Sequence, residues 1–371
     1  MSTASAPCPQ PTGFPSRPAT DAFGHSTSVA LCWSRDTPEP ERCTGAIEEL
    51  VERVTQKDEL VWIDLCAPDA DRLRLVADEL QIPEAAIEDV VAPHERPKAT
   101  RHDDRAAFVV YALTRRTLSG ESALAGADEK PAGASSLVHS RLFHRTRVYA
   151  FVLPTALVTI RSDDNFDMDR VVQRWSELGV DADRGSFALA HGLLDVVVDD
   201  YFGAVQEMDD RIESLEDELF EPTWLPRVFQ EQAYGLRREL VSLRRDVLPV
   251  REVIQGVWRH RDTERGRLDL DFADLMDHVL RVGEWTDSLR EMLGTVFETH
   301  LSLQDQRLNQ VMKKLAGWAA VISIPTMVTG WFGMNVPYPG KDQMLGVILA
   351  AVATVLPAVG IWWGMRRAGW L

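Results

Sequence analysis

Short runs of Val, Ile, Leu and aromatic residues, separated by charged or turn-forming stretches, dominate the first part of the chain: SVALCW (28–33), LVWIDL (60–65), AAFVVYAL (106–113) and VYAFVLPTALVTI (148–160). Branched and aromatic side chains in runs this short predict strands, because they suit a pleated, half-buried surface. Apolar residues recurring at three and four predict short helices near 69–80 and 83–91. The mixture predicts an α+β cytoplasmic domain over residues 27–185. Two segments stand outside it. Residues 1–26, rich in Pro, Ser, Thr and Ala and without an apolar signal core, predict a disordered tail rather than a secretory signal. TLSGESALAGADEKPAGASS (117–136) has the composition of a flexible insertion.

Beyond about residue 184 the strand signal stops. LLDVVVDDYFGAVQEMDDRIESLEDELF (193–220) and LRRELVSLRRDVLPVREVIQGVW (236–258) carry apolar residues at helical spacing with charges between them, and a third helix begins near 270 with no proline before Pro325. Residues 186–314 therefore predict long cytoplasmic helices, the last a stalk entering an apolar tail. That tail, 315–371, holds two uncharged runs, 315–332 and 343–365, each long enough to cross a bilayer, joined by an outer loop at 333–342. Lys313 and Lys314 precede the first run and Arg366 and Arg367 follow the second, whereas the loop carries only Lys341 and Asp342. The positive-inside rule then predicts a multi-pass protein of the plasma (inner) membrane with both termini cytoplasmic.

The net charge of -17 and pI near 5.0 argue against a nucleic-acid surface, which needs clustered Lys and Arg, and are compatible with attracting cations. No Walker-type Gly-Lys-Ser/Thr sequence is present, so no nucleotide site is expected, and no nucleophile–base set or metal-protease motif points to an enzyme. The cysteines Cys8, Cys32, Cys43 and Cys66 match neither a zinc ribbon nor a redox pair and are expected to be reduced.

Steps of alternately three and four along the third helix connect Glu298, Ser302, Asp305, Asn309, Met312, Ala316, Ala319, Ser323, Thr326 and Gly330. Nearly all are polar or small, while Leu308, Val311, Trp318 and Ile322 point elsewhere. At membrane depth such a seam has two explanations. Small residues let helices pack closely, and polar ones line a water-filled cavity, with Glu298 and Asp305 concentrating cations at its mouth. Two spans cannot enclose a channel, so the second explanation requires a homo-oligomer with cyclic symmetry. At the far end of the seam stands Gly333-Met334-Asn335.

These residues resemble the CorA family of magnesium transporters, whose hallmark is Gly-Met-Asn at the outer end of the first of two C-terminal spans. NQVMKKL (309–315) is similar to the family's pore entrance, and Pro325-Thr326 and Gly330 stand at the expected distances before the hallmark. LRRELVSLRRDVLPVRE, IEDVVAPHERPK (87–98) and ADLMDH (273–278) resemble its soluble-domain segments. The resemblance implies a funnel-shaped homopentameric channel passing Mg2+, with cobalt, nickel or zinc passage as an alternative within the superfamily; set against it, the same residues also fit a membrane-anchored sensor that conducts nothing. It implies that Asn335, with Gly333 and Met334, meets hydrated ions, and that Asn309, Met312, Leu315, Ser323 and Thr326 line the pore above an acidic ring of Glu298. It also implies a regulatory Mg2+ held between subunits by Asp89 and Asp274, with Glu88 as a companion. Two departures stand out: VPYPGKDQ (336–343) replaces the family's Met-Pro-Glu-Leu loop, so that an acidic outer ring is either missing or supplied by Asp342, and Ser323 takes a position where larger apolar residues are common.

Overall fold

The computed structural model describes residues 29–35, 37–43, 53–54, 59–91, 96–102, 105–116, 141–220, 226–259, 266–334 and 343–370. The expected tail (1–26), the expected insertion (117–136) and the outer loop from Asn335 through Asp342 lie outside the described residues. The chain divides into two units, Met1–Leu293 and Gly294–Leu371.

The first unit is built on a mixed sheet of seven strands: β1 (Val29–Ser34), β2 (Thr37–Cys43), β3 (Glu59–Cys66), β4 (Lys98–His102), β5 (Arg105–Arg115), β6 (Phe143–Val152) and β7 (Ala156–Arg161), in the order β2-β1-β3-β7-β6-β5-β4. Only β3 and β7 are parallel, at the centre, and their near-continuous burial suits strands covered on both faces. The run at 148–160 is thus two antiparallel strands, β6 and β7, turned between Val152 and Ala156. The two outermost strands, β2 (TPEPERC) and β4 (KATRH), carry no apolar run and were not expected from the pattern. Edge strands tolerate Pro and charge because one side makes no ladder bonds, and this same composition blunts edge-to-edge association.

On one face of the sheet, Val61, Ile63, Leu65, Val109, Phe151 and Val158 form a common core with Leu73, Val76 and Ala77 of α1 (Ala70–Glu79) and with Ala86 and Val90 of α2 (Glu84–Val91). Asp69 caps α1 by accepting from the Arg72 backbone N–H at 2.8 Å. The other face receives α3 (Met168–Glu177), α4 (Ser186–Phe220) and α5 (Pro226–Arg259). Here Trp175 of α3 meets Trp33 and Trp62 edge-on, with centroids 5.8 and 4.9 Å apart, and its indole N–H donates to the Leu189 carbonyl. Between the central strands lies a buried ion pair, Arg161 forking onto Asp64 at 2.8 and 3.0 Å, and Thr159 donates a further bond to the same carboxylate.

Cys32 and Cys43 are joined by a disulfide with Sγ atoms 2.12 Å apart, so the expectation of reduced thiols does not hold for this pair. A separation of eleven residues matches no motif in the sequence; the antiparallel β1–β2 hairpin is what brings the two together. Cys66 stays free.

The helix α6 (Arg267–Phe332) starts in the first unit, where Phe272, Leu275, Val279 and Val282 are buried, and runs without interruption through Pro325. The second unit consists of the remainder of α6 and of α7 (Met344–Arg367).

Candidate functional site

Every residue of the expected seam is exposed, Glu298, Ser302, Asp305, Asn309, Met312, Ala316, Ala319, Ser323, Thr326 and Gly330, and so is Leu315, the further pore position implied by the resemblance. Within the span, solvent is partly excluded from α6 along one broad side, at Gly317, Ala320, Val321, Ile324, Pro325, Val328 and Phe332, with Gly317, Val321, Ile324, Val328 and Phe332 as its central stripe. That stripe runs two residues ahead of or behind Ala319, Ser323, Thr326 and Gly330, and two residues turn a helix by about 200°. The seam therefore lies on the side of the helix opposite to the shielded stripe. Returning α7 shows the same one-sided shielding, at Gly346, Ala350, Thr354 and Ala358.

The hydroxyls of the span are tied to their own helix. Ser323 donates to the Ala320 carbonyl at 2.9 Å, Thr326 to Ile322 at 3.1 Å and Thr329 to Pro325 at 2.8 Å. This satisfies each O–H internally, as a low-dielectric surrounding demands. It leaves the oxygen lone pairs as the group offered outward, and lone pairs are what a cation or its hydration water meets. Beyond Met312 and Leu315 at its entrance, the large apolar side chains flank the seam: Trp318, Ile322, Met327 and Trp331 are all more than half exposed in the single chain. Such bare apolar surface on an eighteen-residue-scale span is the signature of lipid or neighbouring helices rather than water. Both apolar helices are long enough and hydrophobic enough to cross a bilayer.

The helix ends where the hallmark begins. Gly333 donates its N–H to the Thr329 carbonyl at 2.9 Å and Met334 to Trp331 at 3.2 Å, closing the last turn. Asn335, the next residue, lies outside the described residues.

In the first unit, Glu88 and Asp89 sit side by side on α2. Glu88 lines a groove between α1 and α2 together with Leu73, Arg74, Ile87 and Val91. Asp89 is held by Lys98 of β4 at 2.8 Å. Asp274 of α6 has its carboxylate 73 % exposed, with the His278 ring 3.7 Å away. Among the described residues no three His, Cys, Asp or Glu side chains gather into a metal-binding group within one chain. Glu88 and Asp274 are thus offered singly at the surface while half-buried Asp89 is engaged by Lys98, and a divalent ion at any of them would need oxygens from a neighbouring copy or from water. The Lys98 partner of Asp89 and the tryptophan-backed arginines at the end of α7 were not anticipated. The latter had a visible signal, Trp-Trp followed four residues later by Arg-Arg.

A long helix carrying a seam of small and polar residues through an apolar span, followed by a returning span, fits a protein with two C-terminal membrane helices. The chain belongs to the CorA-like Mg2+ transporter protein family, whose model matches residues 57–367. It is a metal-ion transporter of that superfamily and not an enzyme. Among its relatives, the putative metal ion transporter YfjQ of Bacillus subtilis is 24% identical over 315 residues, 82% of this chain and 90% of the relative. The cobalt/magnesium transport protein CorA of Thermotoga maritima is 28% identical over 213 residues, covering 56% and 59%. The zinc transport protein ZntB of Klebsiella pneumoniae is 25% identical over 334 residues, covering 88% and 93%. The complete structure of the CorA magnesium transporter from Methanocaldococcus jannaschii has the same fold, with a TM-score of 0.70 at 20% identity over 93% of this chain and 98% of that one. The full-length CmaX protein follows with a TM-score of 0.62.

Proposed function

We propose that the chain assembles as a homopentamer around the α6 seam and lets Mg2+ enter passively, driven by the interior-negative potential. The observation that carries this reading is the position of the seam: small and hydroxyl-bearing, opposite the shielded stripe, and leading straight to Gly333-Met334-Asn335. Five such faces turned inward make a conduit of oxygen acceptors. Mg2+ gives up its waters reluctantly, so the neutral amide of Asn335 greets the hydrated ion without stripping it. Glu298 and Asp305 concentrate cations at the inner mouth. A divalent ion gains about 4 to 5 kcal/mol per 100 mV, which needs no nucleotide. Basic residues at the ends of both spans, Lys313, Lys314, Arg366 and Arg367, support an orientation with both termini in the cytoplasm.

The same reading assigns regulation to carboxylates of the first unit. Asp89 and Asp274, with Glu88 nearby, repel their counterparts across a subunit boundary when empty, and a bound Mg2+ removes that repulsion, favouring one assembly over another. Lys98 holds Asp89 in the meantime and must be displaced when the ion binds.

The test is Mg2+ uptake into liposomes under an imposed potential. Wild type should conduct and Asn335→Ala should lose uptake while remaining the same oligomer by size-exclusion chromatography. Equal uptake by both would remove Asn335 from the path; a pentamer that passes no divalent ion would make the chain a sensor. A second reading, zinc transport, is favoured by the longer alignment with the ZntB relative. The absence of His and Cys from the seam favours a hard, oxygen-loving ion instead. Parallel uptake of Mg2+, Co2+, Ni2+ and Zn2+ decides between them.

A further inference from the structure

The returning span ends in a motif that conduction does not use. In WWGMRRAGWL (362–371) each arginine stands four residues after a tryptophan, the spacing that makes helix neighbours. The Arg366 guanidinium lies 5.3 Å from the centroid of the Trp362 ring and the Arg367 guanidinium 5.5 Å from that of Trp363. Both arginines are exposed, and no carboxylate among the described residues pairs with either. The helix stops immediately below them. Gly369, at φ +72, donates to the Arg366 carbonyl at 3.3 Å and Trp370 donates to the Met365 carbonyl at 2.9 Å. This pair of bonds satisfies the terminal carbonyls and needs the left-handed residue that glycine supplies. Lys313 and Lys314, exposed where α6 enters the membrane, emerge on the same side as Arg366 and Arg367, because the two spans run in opposite directions.

We infer that this end of α7 binds the phosphate of an anionic phospholipid headgroup. A guanidinium lying over an indole keeps its in-plane N–H donors free, so its edge forks onto a phosphate while its face stays on the ring. Indoles settle at headgroup depth, with their apolar bodies toward the acyl chains, and Trp363 and Trp370 are 58% and 39% exposed at this level. The surface thus offers both halves of a lipid, the charged phosphate and the glycerol–acyl boundary, whereas a free phosphate ion would use only the first. The helix macrodipole also places its negative end here, and the two arginines neutralise it before any lipid arrives. The Schellman-type stop fixes how far they stand from the hydrocarbon. None of this depends on which ion passes through the seam.

The experiment uses the full-length chain in nanodiscs containing equal phosphatidylglycerol and phosphatidylcholine, with retained lipids counted by native mass spectrometry, which also reports the oligomer. Wild type is expected to retain phosphatidylglycerol preferentially, and R366Q/R367Q to lower that preference by about fivefold or more, the scale of one cation at an anionic membrane surface. R366K/R367K keeps the charge without the planar stack and is expected to fall in between; it serves as the folded variant if the double Gln protein fails to assemble. W362L/W363L is expected to lose preference with its charges intact. The proposal is overturned by a wild type without preference, by Gln or Lys variants indistinguishable from wild type, or by displacement of the lipid with inorganic phosphate, which would make this a general anion surface.

Discussion

Ser323 and Ile322 are neighbours near the middle of the first span, and both are exposed in the single chain, Ile322 by 62%. One residue step moves about 1.5 Å along the axis and about 100° around it. A carboxylate introduced at either position therefore sits at nearly the same depth with nearly the same helix propensity, and only its direction differs. At 323 it would project into the proposed conduit and keep its water. At 322 it would meet hydrocarbon or an apolar helix face and carry the ~3 kcal/mol that a charge costs at mid-bilayer, about a hundredfold in any equilibrium that requires insertion. Ser323→Asp should yield assembled, membrane-extracted protein close to wild type, and Ile322→Asp should be depleted severely. The assay is the amount of correctly sized oligomer recovered from membranes at matched expression. Equal losses at both positions, or better tolerance at 322, would mean that the seam packs against dry protein and that the channel reading is wrong.

Three further outcomes follow from the first unit. Asp64→Ala takes from the 6%-exposed Arg161 its buried carboxylate, leaving the exposed Asp164 at 3.1 Å, and should cost about 3 kcal/mol, whereas Asp64→Val combined with Arg161→Met should cost far less; urea unfolding followed by tryptophan fluorescence separates the two, and equal losses would contradict it. Burial pushes the Asp200 carboxyl up to about 6 against the pull of Arg170, so the folded chain holds a proton that the unfolded chain has released. Stability should accordingly fall as pH rises from about 4 to 6, by ~3 kcal/mol from this group, and Asp200→Asn should flatten that part of the profile. A Cβ at Gly192 would come within 2.5 Å of the Trp175 ring, which is pinned by its bond to Leu189 and by Trp33 and Trp62, so Gly192→Ala should destabilise by about 1 to 3 kcal/mol. Gly203→Ala, in open space on the same helix, should not lower the melting temperature.

The strands that carry burial were legible because apolar runs reflect the number of faces they must cover. LVWIDL became the central β3 and AAFVVYAL became β5. The polar edge strands β2 and β4 were not, since an edge strand is stabilised by its one neighbour and not by its own composition. The helix α3, MDRVVQRWSE, lies in a stretch, 162–185, to which no element was assigned; its periodicity covers only ten residues. Within the candidate site, the seam's spacing and its abrupt end at Gly333 could be read from sequence. Its direction could not, because a heptad step says which residues share a face but not which face a neighbour shields.

By itself the sequence determined the two apolar spans, the long helix leading into them and the seam of small and polar residues, because these depend on spacing along one chain. Tertiary structure alone decided three other matters: the Cys32–Cys43 pairing, the Asp64–Arg161 pair between the parallel central strands, and the placing of the seam opposite the shielded stripe. Each requires residues distant in sequence to meet, or one side of a helix to be covered. Chain entropy leaves such contacts unspecified until the sheet and the helices have closed around them.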